Sequence, residues 1–325
     1  MPSLLLSNPR GLCAGVERAL ALVELALEAY PPPIYVRHEI VHNRYLVNSL
    51  QQRGVVFIED IADVPTAAQV LIFSAHGVST QVEREARQLN LKVIDSTCPL
   101  VTKVHVQVAR IARAGEECVL IGHAGHPEVE GTLGRFDSTQ GGAIYLVENV
   151  VQAQKLRVRN NKALHYVSQT TLSLDETASV VAVLKSRYPA IQSPRRDDIC
   201  YATQNRQNAV KELCAKIDML VVVGSDNSSN SRRLQEIGAE KGLPSLLLDD
   251  PATLHKQMFS GIERIGLTAG ASAPPVLVNQ VRDRIKQLSG AIEHESEGPR
   301  EDITFGLPHE ARHMQQLIAA RELHT

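Results

Sequence analysis

The stretch Lys92-Val-Ile-Asp-Ser-Thr-Cys-Pro-Leu-Val101 contains the pattern that decides the fold, which we interpret as a short strand, a turn and the start of a helix. Cys98 lies at that turn. The same order of turn, cysteine and helix returns around Cys13, in Arg-Gly-Leu-Cys-Ala-Gly, and around Cys200, in Asp-Asp-Ile-Cys-Tyr-Ala-Thr. The chain therefore contains a repeated layout, although no sequence identity between the three copies is visible.

Each of these cysteines is followed, at similar spacing, by two polar loops that come after predicted strands. In chain order, the first loops contain His42, His126 and Ser228, and the second loops contain His76, Thr170 and Ser272. Ligands in α/β proteins bind beyond the carboxyl ends of the strands. Three such units around one axis would therefore bring the cysteines and all six loops to one centre.

Short apolar runs alternate with stretches of helical period, which predicts an α/β protein with mostly parallel strands. Val70–Phe73 and Met219–Val223 are clear strands, and Ala14–Ala29 is a clear amphipathic helix. We predict three similar αβ lobes in a trefoil with approximate threefold symmetry, followed by a tail in which Asp302–Phe305 is a strand. The predicted lobes are residues 1–97, 98–195 and 196–282, and the tail is 283–325.

Composition excludes several classes of partner. The 325 residues include 34 basic and 36 acidic side chains, so the net charge is −2. A nucleic acid or a membrane surface would require a basic field, and we expect neither partner. No apolar run approaches the roughly 18 residues of a membrane span. The first residues lack the layout of a signal peptide, so we expect a cytoplasmic location, where five cysteines favour metal binding or catalysis over disulfides.

The positions of the cysteines favour one kind of metal site. Thiolates bind zinc, copper(I) or iron–sulfur clusters, and zinc sites usually contain a close Cys-x-x-Cys pair, which this sequence lacks. The wide separation of Cys13, Cys98 and Cys200 instead favours a 4Fe–4S cluster at a junction between lobes, with one iron left open. Cys118 and Cys214 lie inside a predicted strand and helix, and we expect both to be small buried side chains.

The polar loops contain neutral hydrogen-bond donors and few cations. Several of them begin predicted helices, whose unpaired amides favour anions, so we predict a diphosphate site without a P-loop. Its candidate ligands are His42, His76, His126, Ser228, Ser229, Asn230 and Ser272. Ordinary helix capping by the serines and structural roles for the histidines are the alternatives. An anion bound near Glu128 would raise the pKa of that carboxyl group, which is the direction that a proton donor requires.

Nine ordered motifs, spread over roughly residues 3–310, resemble those of one enzyme family. They are Gly-Leu-Cys-Ala-Gly-Val, Val-His-Asn, Ser-Ala-His-Gly-Val, Asp-Ser-Thr-Cys-Pro-Leu-Val, Gly-His-Pro-Glu, Ser-Gln-Thr-Thr-Leu-Ser, Asp-Asp-Ile-Cys-Tyr-Ala-Thr-Gln-Asn-Arg-Gln, Gly-Ser-x-Asn-Ser-Ser-Asn-Ser and Thr-Ala-Gly-Ala-Ser-Ala-Pro. This set resembles the 4-hydroxy-3-methylbut-2-enyl diphosphate reductase family of the LytB type. The resemblance implies a three-lobed fold around a central cluster.

The resemblance also implies an activity and roles for particular residues. The reaction is a two-electron reductive dehydroxylation that yields isopentenyl and dimethylallyl diphosphates, the last step of the non-mevalonate isoprenoid pathway. Cys13, Cys98 and Cys200 correspond to the three ligands of one 4Fe–4S cluster, and the loop residues named above to the diphosphate site. Glu128 corresponds to the proton donor, and Thr170 to the residue that orients the substrate hydroxyl group and the glutamate.

No dinucleotide fingerprint or Cys-x-x-Cys redox pair is visible in the sequence, so we expect an external electron donor. The family resemblance implies ferredoxin or flavodoxin. Two other classes remain as alternatives, namely a 4Fe–4S hydro-lyase, which would need no reductant, and an iron–sulfur sensor protein, which would lack a specific diphosphate site.

Overall fold

The computed structural model describes residues 1–65 and 70–322. Residues 66–69, in the predicted first lobe, and 323–325, at the end of the predicted tail, lie outside the described residues. The strands within the described ranges are β1 (Ser3–Leu6), β2 (Ile34–Arg37), β3 (Val55–Ile58), β4 (Val70–Phe73), β5 (Lys92–Asp95), β6 (Glu117–Ile121), β7 (Ile144–Val147), β8 (Leu164–Ser168), β9 (Met219–Val223), β10 (Ser245–Leu248), β11 (Arg264–Ala269) and β12 (Ile292–Glu295). The α-helices are α1 (Ala14–Ala29), α2 (Arg44–Gln52), α3 (Thr80–Gln88), α4 (Pro99–Arg113), α5 (Pro127–Leu133), α6 (Val150–Lys155), α7 (Leu174–Arg187), α8 (Tyr201–Cys214), α9 (Ser229–Glu240), α10 (Pro275–Ser289) and α11 (His309–Glu322).

These strands form three sheets in which neighbouring strands run parallel. The orders are β10-β9-β11-β1-β12, β3-β2-β4-β5 and β7-β6-β8. Parallel strands need long crossover connections, and helices supply most of them here. Three parallel sheets with their helices confirm the predicted α/β class and its three αβ lobes.

Contacts divide the chain into two compact units. Unit one contains residues 1–17, 41–49 and 201–304, and with them the five-stranded sheet. Unit two contains residues 18–40, 50–200 and those from 305 onward, and with them the four-stranded and three-stranded sheets. Over the ranges that the structure covers, no helix is long and apolar enough to cross a membrane.

Each unit has an inner strand that is buried along its whole length. In unit one this holds for β9, Met-Leu-Val-Val-Val, and in unit two for β4, Val-Leu-Ile-Phe. A parallel sheet is covered by helices on both faces, so its inner strands need continuous apolar sequence rather than alternation. These two strands and α1 have the bounds that the sequence predicted.

Four elements differ from the sequence-based prediction. β1 lies within the predicted first lobe, but it pairs with β11 and β12 in the sheet of unit one. α10 crosses the predicted boundary at residue 282, and β12 lies in the predicted tail. The predicted strand Asp302–Phe305 is wrong, because this segment pairs with no strand and Ile303 is 43% exposed, so it has no buried apolar face. The lobe boundaries themselves stay a prediction.

Candidate active site

Three of the five cysteines lie at the start of a helix, as the sequence predicted. Cys13 directly precedes α1, Cys98 is the N-terminal cap of α4, and Cys200 directly precedes α8. These three are partly exposed, whereas Cys118 and Cys214 are buried. Free amides at a helix start stabilise a thiolate, so the three partly exposed positions suit metal ligands better than the buried two.

Burial makes three of the thiols less acidic, one at a helix start and the two buried ones. Burial raises the pKa of Cys118 and of Cys214. Burial also raises the pKa of Cys13, although the Val16 amide and the Arg206 guanidinium act in the opposite direction. A bound cation would hold Cys13 as a thiolate, because metal coordination deprotonates a thiol outright.

In unit one, backbone hydrogen bonds fix the loop before Cys13 to the loop after β11. The Gly11 amide donates to the Ala269 carbonyl at 3.1 Å, and the Cys13 amide donates to the Ala271 carbonyl at 3.2 Å. Gly11 has φ +74°, and a Cβ there would lie 3.2 Å from the Ala273 carbonyl oxygen. The left-handed backbone and the close approach both require glycine at this turn.

Three polar loops of unit one are joined by side-chain hydrogen bonds. The Ser272 hydroxyl donates to the His42 carbonyl at 2.8 Å. The Arg44 amide donates to the Ser225 hydroxyl at 2.8 Å, which ties the His42 loop to the loop before α9. Ser228 caps α9 by accepting from the Ser231 amide at 3.3 Å. The structure therefore connects His42, Ser272 and the loop that leads to Ser228.

Asn230 is the clearest sign of a ligand in unit one. It lies in the first turn of α9 and is 4% exposed. Both of its side-chain polar atoms, Oδ1 and Nδ2, are buried without a hydrogen-bond partner in the described part of the protein. Buried amides are almost always satisfied, and leaving one unsatisfied is costly. A polar ligand at the start of α9 would satisfy this side chain.

In unit two, the loops at Cys98, His76 and His126 are linked. The Cys98 amide donates to the Ala75 carbonyl at 3.0 Å. The rings of His76 and His126 meet edge to face with their centroids 5.7 Å apart. Behind them, Gly131 of α5 lies against the Gly77 backbone so closely that a Cβ would be 3.1 Å from the Gly77 oxygen. The structure therefore places two predicted diphosphate ligands side by side.

His126 has a defined tautomer when it is neutral. Its Nδ1 accepts a hydrogen bond from the Glu128 amide at 3.1 Å, which caps α5. An amide can only donate, so Nδ1 carries no hydrogen and the ring proton is on Nε2. The imidazole thus presents a neutral N–H donor, which an anionic ligand can accept.

Glu128 and Thr170 form a buried pair. The Thr170 amide donates to Glu128 Oε1 at 2.6 Å, and the Thr170 hydroxyl donates to Oε2 at 2.9 Å. Burial raises the pKa of Glu128 to about 7, against the two Thr170 hydrogen bonds, and the negative charge of Asp198 adds to the increase. The Thr170 carbonyl accepts from the Cys200 amide at 3.0 Å, so the pair also contacts a predicted ligand loop.

The geometry of the pair decides which oxygen is protonated. Oε1 faces a backbone amide, which cannot accept a hydrogen bond, so the acidic proton belongs on Oε2. In the ionised acid the Thr170 hydroxyl donates to Oε2. When Oε2 is protonated, this hydrogen bond reverses, and the Thr170 hydroxyl can donate to another acceptor. Glu128 and Thr170 can therefore pass one proton along a fixed line.

Sequence reasoning missed the groups that anchor the Cys200 loop. Buried Asp198 accepts from the Ser168 amide at 3.1 Å and lies 3.1 Å from Lys103 Nζ. Lys103 also donates to the carbonyls of Arg196 and Asp197, both at 2.9 Å. Asp198 lies in the quoted motif Asp-Asp-Ile-Cys. From sequence alone, an acidic residue shortly before a helix is interpreted as an ordinary N-terminal cap.

Within each unit, several of the residues predicted from sequence lie in connected loops. Unit one connects the loops of Cys13, His42 and Ser272 and the start of α9, with Ser228, Ser229 and Asn230. Unit two connects the loops of Cys98, His76, His126, Glu128, Thr170 and Cys200. Within residues 1–65 and 70–322, no group of three or more His, Cys, Asp or Glu side chains could hold a metal ion. The assignment of the three cysteines as cluster ligands therefore stays a prediction.

Comparison with known proteins identifies close relatives over nearly the whole chain. The family model described as LytB protein matches residues 4–286. A 4-hydroxy-3-methylbut-2-enyl diphosphate reductase of Pseudomonas aeruginosa is 55% identical over 307 residues, which cover 94% of this chain and 98% of the relative. The reductase of that name from Shewanella pealeana is 54% identical over 310 residues, covering 95% and 100%.

Two solved structures are similar as well. The E-1-hydroxy-2-methyl-but-2-enyl-4-diphosphate reductase of Plasmodium falciparum has a TM-score of 0.91 at 38% identity, covering 99% of both chains. A structure described as (E)-4-hydroxy-3-methyl-but-2-enyl diphosphate reductase, the terminal enzyme of the non-mevalonate pathway, has a TM-score of 0.62 at 33% identity. It covers 88% of this chain and 100% of its own.

Proposed function

We propose that this chain, which belongs to the LytB protein family, catalyses the reductive dehydroxylation of 4-hydroxy-3-methylbut-2-enyl diphosphate, the last step of the non-mevalonate isoprenoid pathway. The substrate takes up two electrons and two protons, loses its hydroxyl group as water, and becomes isopentenyl or dimethylallyl diphosphate. The observation that carries the proposal is the buried Glu128–Thr170 pair, because this reaction requires an acid that keeps its proton near neutral pH.

The diphosphate is bound by neutral donors in this proposal. The residues assigned to it are His42, His76, His126, Thr170, Ser228, Ser229, Asn230 and Ser272. Asn230 supports the assignment, since both of its side-chain polar atoms are buried and unsatisfied. His126 supports it as well, because its Nδ1 accepts a hydrogen bond and the hydrogen of the neutral ring is therefore on Nε2. Holding the diphosphate orients the allylic end of the substrate, and orientation alone can supply several kcal/mol of barrier reduction.

We assign Cys13, Cys98 and Cys200 as the ligands of one 4Fe–4S cluster. The donor set fits this group, because these thiols are partly exposed and lie at helix starts, whereas the remaining two cysteines are buried. When bound, such a cluster supplies the two electrons of the reaction, one at a time.

The residues of this chain supply the protons and the orientation. Glu128 protonates the departing hydroxyl group through the Thr170 hydroxyl, whose oxygen lies 2.9 Å from Oε2. The Thr170 amide holds the other carboxyl oxygen and so fixes the orientation of the carboxyl group. Burial of the pair at 3% and 4% exposure also keeps water from competing as the proton acceptor.

Electrons come from an external one-electron carrier such as ferredoxin or flavodoxin, since the chain shows no dinucleotide or Cys-x-x-Cys motif of its own. A carrier of this kind and thiol-bound iron both suit a reducing compartment, which agrees with the cytoplasmic location expected from the sequence.

The cluster assignment is tested by replacing each of the five cysteines with alanine in turn. After anaerobic reconstitution, iron and sulfide should be lost from the Cys13→Ala, Cys98→Ala and Cys200→Ala proteins. The Cys118→Ala and Cys214→Ala proteins are the matched controls and should retain both. Loss of iron from a control with retention in the other three would contradict the assignment.

The activity is tested with the substrate and reduced methyl viologen as an artificial electron donor. Isopentenyl and dimethylallyl diphosphates should appear, with two electrons consumed per product. Turnover of the substrate without any electron donor would contradict the proposal and favour a hydro-lyase. Iron binding without binding of the diphosphate substrate would favour a sensor protein.

A further inference from the structure

Arg206 is the largest fully buried side chain in unit one, and every N–H of its guanidinium has an acceptor. It is 1% exposed. Its Nε and Nη2 both donate to the Gly11 carbonyl, at 3.0 and 2.7 Å, and Nη2 also donates to the Leu12 carbonyl at 3.1 Å. Its Nη1 donates to the Ala202 carbonyl at 3.0 Å and to the Glu301 carboxylate. Arg206 therefore holds the two carbonyls that immediately precede Cys13.

Glu301 is the counterion that allows this arginine to be buried. Its two oxygens lie 3.0 and 3.1 Å from Arg206 Nη1, and Oε1 also accepts from Asn205 Nδ2 at 3.0 Å. The Glu301 side chain is itself only 13% exposed. A buried guanidinium without a partner is strongly unfavourable, so the position of Arg206 depends on Glu301.

Unit two repeats this arrangement with another arginine and a residue that lies a few positions further along the tail. Arg18 Nη1 donates to the Thr97 carbonyl at 3.1 Å, directly before Cys98. Arg18 Nε donates to the Gly306 carbonyl at 3.0 Å. In each unit, one arginine thus joins a carbonyl that precedes a cysteine to an acceptor in residues 301–306.

We propose that residues 301–306, here called the strap, are a positioning element that holds the cysteine loops of both units through Arg206 and Arg18. The proposal rests on the function proposed above for the ligand role of the cysteines, but its geometry is independent of any bound group. It gives the tail a role that the sequence did not predict. In this proposal the strap acts through the shape of the two loops.

The test is the rate at which each cysteine is alkylated by iodoacetamide in the full-length chain before reconstitution, read for every cysteine by mass spectrometry. Glu301→Ala should raise the rate at Cys13 on the order of tenfold, because the loop opens locally. Arg18→Ala should do the same at Cys98 and leave Cys13 unchanged. Asp302→Asn is the matched control, since Asp302 is exposed in the same segment, and it should alter neither rate.

Two further variants separate positioning from general stability. Glu301→Gln keeps an oxygen acceptor for Arg206 and should restore most of the protection of Cys13. Arg206→Lys keeps the charge but lacks the planar fork, and should expose Cys13 as Glu301→Ala does. If the rates at buried Cys118 and Cys214 rise in proportion to that at Cys13, the residues support overall stability and the proposal is wrong.

A second readout follows the metal. In reconstituted protein, Glu301→Ala and Arg206→Lys should release iron to a chelator several-fold faster than Asp302→Asn does. Equal release rates in all three, together with unchanged alkylation, would overturn the strap. If the unaltered chain takes up no iron, the proposed cofactor fails, and the alkylation pattern still decides whether the strap exists.

Discussion

Glu128→Gln should make the stability of this protein less dependent on pH. Glutamine has nearly the same size and can keep both hydrogen bonds of the buried pair, since its oxygen accepts from the Thr170 amide and its amide group donates to the Thr170 hydroxyl. Unlike the acid, it has no ionised form. The substitution therefore removes the titration while leaving the packing in place.

The size of the effect follows from the pKa of the buried acid. Burial raises the pKa of Glu128 from 4.5 to about 7 in the folded chain. Between these values the folded state binds the proton more tightly than the unfolded state does, so the stabilising contribution of the protonated acid is lost as pH rises. The loss is about 1.4 kcal/mol for each pH unit, or about 2 kcal/mol between about pH 5.5 and pH 8. Above the folded pKa no further change is expected.

The assay is thermal unfolding of the two proteins over this pH range. The melting temperature of the Glu128→Gln protein minus that of the unaltered protein should increase by roughly 4 °C from the acidic to the basic end of this range. Glu130→Gln, on the exposed side of the same helix, is the control and should show no such trend. A difference between the Glu128→Gln and unaltered proteins that stays constant with pH would refute the raised pKa of Glu128.

Three other outcomes follow from the same contacts. In the unaltered protein, steady-state kcat should fall about tenfold per pH unit above pH 7, because Glu128 loses its proton. The Glu128→Gln substitution should lower kcat by about 10²–10⁴-fold and change KM only a few-fold. If the kcat of the Glu128→Gln protein is unchanged, Glu128 is not a catalytic acid. Asn230→Leu should weaken pyrophosphate binding, measured calorimetrically, by about 10–100-fold. It should not lower the melting temperature, because it removes a buried amide that has no hydrogen-bond partner. Unchanged binding would exclude Asn230 as a ligand. Gly131→Ala should destabilise the chain by about 1–3 kcal/mol in urea unfolding, because its Cβ would press on the Gly77 backbone, whereas Gly306→Ala has open space and should not; equal stability would contradict the tight packing.

The buried parallel strands could be predicted from sequence, but the pairing that completes unit one could not. β4 and β9 are short, continuous apolar runs, which is the pattern typical of a fully buried strand. β1 pairs with strands more than 250 residues away, and no local signal fixes a partner at that distance. β12, Ile-Glu-His-Glu, lies at the sheet edge with little burial, so it lacks the apolar pattern that reveals a strand.

Loop positions after strands were predictable for the same reason that active sites recur there. His42, His126 and Thr170 were placed by the order of elements alone, and the structure has them in loops that follow strands and precede helices. Arg206 was not found, although it stands in one of the quoted motifs. An arginine in a helix is normally exposed, and only its distant partners, Gly11 and Glu301, explain why this one is buried.

The neutral donors that we propose for the diphosphate and the raised pKa of Glu128 are electrostatically compatible. The charged side chain that acts on the pKa of Glu128 is Asp198, and it acts in the same direction as burial. A bound diphosphate would raise that pKa further, because it adds negative charge nearby. Lysine or arginine ligands beside Glu128 would bind the anion more strongly, but they would also lower the pKa and release the proton before the reaction. In the proposed site, a neutral His126 imidazole would offer its Nε2 hydrogen to the anion without lowering the pKa of Glu128.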